Sequence, residues 1–205
     1  MPAKIMFLPM YANRITNAEF VRSLIGRDSK VITLENGSCN YRAATVFQEL
    51  MKPSSIKTDL VEVASFPDGV NLLRKASANH LMLVPCIHEV TRQLDLDNNF
   101  TSVKFLDFIL TNPGIYLASK NGLHPNSLPI KDRRVAAIKP LATLVSDETL
   151  QVVEANSTQD AARKVALGLI PFCITNEEGV YRNDLRIIEE AESMDMLWRF
   201  FKRVA

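Results

Sequence analysis

From Leu150 to Glu177 the sequence changes its hydrophobic period twice, which limits the chain to folds that alternate strands with helices. The apolar run Leu150–Val153 ends in Ala155-Asn156-Ser157-Thr158, after which Ala161, Ala162, Val165, Ala166 and Leu169 recur at three- and four-residue spacing. That spacing lays one apolar stripe along a helix. Ser157 or Thr158 is a natural N-cap, and Gln159 and Asp160 keep the first turn polar. Gly168 is placed to end the helix, and Pro171 prevents its continuation. A second strand then runs into Thr175-Asn176-Glu177. A helix start with hydroxyls and free backbone N–H groups, set after a strand, can hold a carboxylate or phosphate. The same residues also make an ordinary capped crossover helix.

The rest of the chain repeats this alternation. Strands are expected at Ile5–Leu8, Lys30–Leu34, Lys57–Ala64, His80–Pro85, Phe105–Leu110, Ile115–Ser119, Arg134–Ile138, Leu185–Ala191 and Met196–Arg203. In the last of these Trp198, Phe200 and Phe201 also fit a helix. Helices are expected at Ala18–Ile25, Asn40–Met51, Val70–Ala78 and Pro140–Val145. Arg92–Thr101 reads as a polar connection and Lys120–Lys131 as a loop. Asn36-Gly37 marks a turn, since both residues tolerate positive φ. His80–Pro85 is apolar throughout, suited to burial on both faces of a parallel sheet. Such alternation signals an α/β architecture with mostly parallel sheets, in which ligands sit at the carboxyl ends of strands. The loops Glu35–Asn40, Pro85–Glu89, Ala155–Thr158 and Thr175–Glu177 all occupy that position.

With 205 residues the chain can form one large domain or two lobes. Its 24 basic and 23 acidic residues nearly cancel, and no basic stripe interleaved with aromatics occurs, which argues against a nucleic-acid binder. The longest apolar runs fall far short of a membrane span and no cleavable leader is evident, so a cytoplasmic protein is expected. Cys39, Cys86 and Cys173 are odd in number and lack a CxxC pair, fitting reduced thiols and no metal site.

Taken in order, the loops resemble the catalytic domain of prephenate dehydratases. Gly37-Ser38-Cys39-Asn40 with Ala43-Ala44 is similar to that family's turn into an alanine-rich helix. Val84-Pro85 answers its Val-Pro strand end, and Asn156-Ser157-Thr158 and Thr175-Asn176-Glu177 answer its later turns. The nearer likeness is to the prephenate decarboxylases of bacilysin- and aeruginosin-type antibiotic pathways, short stand-alone chains, and it extends from about Val31 to Phe201. One departure sets the chain apart from the dehydratases. Their Thr-Arg-Phe, whose threonine hydroxyl is central to expelling the ring hydroxide, reads here Trp198-Arg199-Phe200. Their Glu-Asn-Ser after Val-Pro reads here Cys86-Ile87-His88-Glu89.

The resemblance implies a two-lobed fold like that of type 2 periplasmic binding proteins. It further implies a first lobe of residues 1–104 plus 178–205, a second of 105–177, a ligand cleft between them, and a homodimer. It implies a small-molecule substrate, prephenate, decarboxylated without aromatisation and without a cofactor or metal. Ser38, Asn40, Asn156, Ser157, Thr158, Thr175 and Asn176 are then expected to bind the substrate, with Lys139 neutralising a carboxylate or standing as a solvated helix-start lysine. His88, Trp198 and Arg199 are the catalytic candidates. His88 is a proton donor or carboxylate binder, or else a loop histidine. Arg199 pairs with substrate or supports the site. Trp198 helps suppress aromatisation or is core. His80 and His124 have no evident partner. Two other functions fit the same pattern: a dehydratase with an altered final motif, and a cytosolic module that binds or senses a small molecule without catalysis.

Overall fold

The computed structural model describes residues 5–7, 18–111, 114–142, 149–191 and 195–204. In chain order the first elements are β1 (Ile5–Phe7), α1 (Ala18–Ile25), β2 (Asp28–Leu34), α2 (Cys39–Met51), β3 (Lys57–Val63) and α3 (Phe66–Lys75). They are followed by β4 (His80–Pro85), α4 (Glu89–Leu96), β5 (Phe100–Ser102) and β6 (Phe108–Thr111). The middle of the chain supplies β7 (Ile115–Ser119), β8 (Arg134–Ala137), α5 (Lys139–Ala142), β9 (Gln151–Glu154), α6 (Thr158–Ala166), β10 (Phe172–Asn176), α7 (Glu177–Arg182) and β11 (Arg186–Ala191). The chain closes on β12 (Asp195–Arg203).

Most of these follow the sequence periodicity, and the departures have local causes. Helix α3 starts earlier than Val70 because the Ser65 hydroxyl accepts the Asp68 N–H and Pro67 suits a first turn. Helix α4 begins at Glu89 and runs into the expected polar connection as far as Leu96, capped by His88 and burying Val90 and Leu94. The segment expected as one strand from Phe105 divides into a 3-10 turn, Lys104–Leu106, and β6. Of the helix expected at Pro140–Val145, residues 143–145 lie outside the described ones, as does Leu8 of the first strand.

Two compact units divide the chain. One, the terminal unit, comprises Pro2–Asn36, Asn40–Thr111 and Asp195–Ala205; the other, the central unit, comprises Gly37–Cys39 and Asn112–Met194. The divisions fall after Thr111 and Met194 instead of after residues 104 and 177. Strand pairing explains the shift: β6 hydrogen-bonds to β1 and β12, whereas β11 hydrogen-bonds to β7.

The terminal unit holds a seven-stranded sheet, ordered β1-β6-β12-β4-β2-β3 with β5 beside β12. The central unit holds a five-stranded sheet, ordered β11-β7-β10-β8-β9. Both are mixed, which corrects the expectation of mostly parallel sheets. Parallel pairing is confined to β3-β2-β4 and β10-β8-β9, where helices provide the crossovers. Every described pairing of β12, and both pairings of β7, are antiparallel. Antiparallel strands need no crossover helix, so hydrophobic runs without an intervening helical period insert in that sense.

Strand β12 organises the terminal core. Met196, Trp198 and Phe200 alternate with half-buried Leu197 and Arg199, the period of a strand and not of a helix. Phe200 packs on Phe47 of α2, ring centroids 4.4 Å apart, with Phe108 at 6.2 Å. Phe201 joins a second cluster with Leu34, Leu73, Val84 and Leu94. In the central unit the helix–sheet seam is made of small residues, Ala118, Ala136, Ala161 and Ala162, so α6 lies close against its sheet.

Phe200 is fully buried between two other aromatic rings. Phe200→Ala is expected to lower unfolding free energy by about 3–5 kcal/mol, read as a fall in the urea midpoint with unchanged slope.

Candidate functional site

In the central unit the parallel strands β8, β9 and β10 bring their carboxyl ends to one edge of the sheet. The segments that follow them carry Lys139, Asn156-Ser157-Thr158 and Asn176. Ser157 is the N-cap of α6: its backbone is extended and its Oγ accepts the Asp160 N–H at 2.9 Å. Thr158 is the first helical residue and is fully buried. Its carbonyl accepts the Thr175 hydroxyl at 2.8 Å, while its own Oγ1 has no partner among the described residues. A Cβ on Gly179 would fall onto Thr175 Oγ1, so a glycine there lets the hydroxyl reach α6.

Asn176 caps α7 in the same manner, its Oδ1 accepting the Gly179 N–H at 2.8 Å. Its Nδ2 donates to the Gly37 carbonyl at 2.8 Å, and Gln159 Nε2 donates to that same carbonyl at 3.0 Å. Gly37 holds φ +93°, and a Cβ there would lie 2.7 Å from Gln159 Nε2. The two amides thus fix the Gly37–Cys39 turn against the start of α6 and the end of β10. Of the expected binding residues, Ser38, Ser157, Thr158, Thr175 and Asn176 are therefore gathered and all buried. Asn156 is exposed and contributes its backbone N–H to Asp160 Oδ2 at 2.9 Å. Lys139 is exposed at the start of α5. Gln159 was not among the expected residues, although its place two after the cap puts it in the buried first turn of α6 beside Gly37.

In the terminal unit Asn40, His88 and Arg199 are committed to protein partners. Asn40 Oδ1 accepts the Thr33 hydroxyl and the Leu34 N–H, both at 2.7 Å, and its Nδ2 donates to Leu83 O at 2.9 Å. It fastens α2 to β2 and β4. His88 caps α4, its Nδ1 accepting the Val90 N–H at 3.2 Å, and its ring lies 4.5 Å from that of Phe66. Acceptance at Nδ1 places the neutral ring's proton on Nε2. Trp198 stands in register with Pro85 on one side and Phe108 on the other, is 1% exposed, and leaves its Nε1 without a partner among the described residues.

Arg199 donates from Nε to Asp107 Oδ2 at 3.0 Å and from Nη1 to Asp95 Oδ2 at 3.3 Å. Neither aspartate stood out in the sequence, because only the pairing of β12 with β6 and with β4 brings residues so far apart in the chain together. Burial pushes the Asp107 carboxyl above its ordinary range, and the Arg199 guanidinium pulls it partly back. Burial likewise raises the neighbouring Cys86 thiol to about 11 against the opposing pull of Arg199. Cys86 is thus a neutral thiol near pH 7 and not an activated nucleophile. Cys39 and Cys173 are buried, and none of the three is in a disulfide. No group of metal-ligating side chains occurs among the described residues. No described helix is long and apolar enough to cross a membrane.

Asp160 offers a handle on the first cluster. Burial alone would raise its pKa, but the Asn156 N–H, the Lys164 ammonium and nearby Arg163 outweigh it and hold the carboxyl below its ordinary 3.8. The folded state therefore binds this proton less readily than the unfolded one. The stability that Asp160 contributes is present above pH 3.8 and is lost as pH falls through the depressed folded pKa. Asp160→Asn is expected to be less stable than the parent at pH 7, the two urea midpoints converging as pH falls below 3.8 and through the depressed folded pKa.

No protein-family model matches the sequence, and no curated protein matches it. Solved structures do. The periplasmic VFT2 domain of Bordetella pertussis BvgS is 16% identical, covers 96% of this chain and 87% of its own, and superposes with a TM-score of 0.56. An R. palustris protein determined with adipate is 10% identical over 86% of this chain and 77% of its own, TM-score 0.54. A proposed methionine-binding lipoprotein of Bacillus subtilis is 10% identical over 86% of this chain and 83% of its own, TM-score 0.53. At such identities the likeness concerns the fold alone. The chain has a two-lobed, periplasmic-binding-like α/β fold built on mixed sheets.

Proposed function

We propose that the chain binds a small carboxylate-bearing molecule at the start of α6, and that it is a cytoplasmic, cofactor-independent decarboxylase of prephenate that leaves the ring non-aromatic. The observation that carries the first part is the Thr158 hydroxyl, fully buried and without a partner among the described residues. A buried hydroxyl left unpaired is costly, and one beside the first N–H groups of a helix is suited to an anionic oxygen. That one neighbour in fold is determined with adipate, itself a dicarboxylate, is in keeping with this reading.

The second part rests on the resemblance around Asn156-Ser157-Thr158 and Thr175-Asn176, and on residue 198. Decarboxylation breaks the bond between the ring's quaternary carbon and its carboxylate. The electron pair passes into the ring diene, a proton is added at a ring carbon, and carbon dioxide leaves. The ring hydroxyl stays. A dehydratase must instead expel that hydroxyl as water, and the tryptophan at 198 offers no hydroxyl to assist it.

A simple binding module is the second reading. It is favoured by the commitments of His88 and Arg199, which cap a helix and pair with two aspartates. Incubating the protein with prephenate and resolving the products separates the alternatives. A dihydro-hydroxyphenylpyruvate supports the decarboxylase, phenylpyruvate a dehydratase, and binding without turnover a sensor or carrier.

Two variants sharpen the test. Thr158→Val removes a hydroxyl that bonds no described group, so folding stability is expected to hold or rise while affinity for prephenate falls about tenfold or more. If affinity is unchanged, α6 is only a crossover helix. Trp198→Phe keeps most of the buried volume. An unchanged rate and product in the folded variant would assign the indole to packing, whereas phenylpyruvate among the products would give it a part in the outcome.

A further inference from the structure

Helix α6 borders a cavity at the end away from Thr158. The hollow, about 410 Å³ and open to solvent, lies where α6 finishes and β8 and β10 begin. Its floor is apolar and buried, formed by Val165, Ile170 and Phe172. Leu123 and Leu169 stand at its wall, 45% and 59% exposed. Such a volume, with apolar lining and few polar groups, is that of a small-molecule site. About 13 Å of helix and strand separates it from Thr158 and Asn176, so one ligand does not span both.

The polar groups at its rim narrow the ligand class. Lys120 Nζ donates to the Ala166 carbonyl at 3.2 Å, so its charge serves the end of α6. Asp132 and Arg134 both line the hollow and are exposed, two residues apart. The Asp132 backbone N–H donates to the Pro129 carbonyl at 2.9 Å, but neither side chain has a hydrogen-bond or ion-pair partner among the described residues, and the two do not pair with each other. A guanidinium fork takes a carboxylate through two parallel N–H bonds, and a carboxylate takes an ammonium. Opposite, unpaired charges at the rim of one apolar hollow match a molecule carrying both charges and an apolar tail. A fatty acid would leave Asp132 facing its tail, and an amine would leave Arg134 unmatched.

We propose that this cavity is a binding site for an apolar α-amino acid, with its carboxylate on Arg134, its ammonium on Asp132 and its side chain against Leu123, Leu169 and Phe172. The site is independent of the reading given to Thr158. Calorimetric titration of the intact chain with L-leucine and L-phenylalanine tests it, alongside 3-phenylpropionate, which lacks the amine, and phenethylamine, which lacks the carboxylate. The amino acids are expected to bind and each truncated probe to bind about tenfold more weakly or not at all. Arg134→Ala and Asp132→Asn, both at exposed positions, are each expected to weaken amino-acid binding about tenfold, and Thr158→Val to leave it unchanged. Three results overturn the proposal: no heat from either amino acid in the millimolar range, 3-phenylpropionate or phenethylamine binding as well as phenylalanine, or binding that depends on Thr158 and not on Arg134.

Discussion

The terminal unit depends on β12 lying inside its sheet, hydrogen-bonded to β4 along one side and to β6 and β5 along the other. Nine residues from the end of the chain complete a sheet begun by the first third of it. They also bury Trp198, Phe200 and Phe201, each at most 1% exposed. Without them β4 would expose one edge, and Phe47 and Phe108 would lose the ring between them. A sheet finished from the far end of the chain needs a long closure, whose entropic cost grows only slowly with its length. The aromatic burial offsets that cost, and the intervening residues are free to form the central unit.

The same insertion explains which parts of the fold were legible in the sequence. Strands with a clean local pattern, such as His80–Pro85 and Ile115–Ser119, lie where period and composition put them. Helix α6 shows its cap, its stripe and its terminating glycine, which holds φ +73° at Gly168. What could not be read was strand direction and partnership. Nothing in the residues of β12 says that it pairs antiparallel between β4 and β6, and that one fact moves the unit boundaries and mixes the sheets. Helix α4 was hidden for a different reason. Its residues are mostly polar, and the cap that starts it is a histidine, whose Nδ1 stands in for the usual hydroxyl or carboxylate.

The candidate site divides along the same line. Ser157, Thr158, Thr175 and Asn176 were legible because local rules placed each after a strand and before a helix, and local geometry then gathered them. Arg199 was legible as a residue but not in its circumstances. Its guanidinium meets two carboxylates, one of them buried, and a buried charge is tolerated when it is paired in this way. Asp107 keeps one oxygen, Oδ1, without a partner among the described residues, so the pair is not saturated. An arginine so engaged has little left to offer a ligand without exposing Asp107, and removal of either partner strands the other.

The two hydroxyls beside α6 are used differently. Thr175 spends its proton on the Thr158 carbonyl, a bond made possible by Gly179, and through it β10 is tied to the first turn of α6. Thr158, one bond away, keeps a hydroxyl whose donor and acceptor capacity is unused among the described residues. Were both hydroxyls satisfied internally, the cluster would be a closed capping network and nothing more. Were both unsatisfied, the first turn would lose its tie to the sheet and the burial of two polar groups would work against the fold. With one tied and one open, the first turn stays fixed to the sheet and the second hydroxyl is held in place by its neighbour's bond.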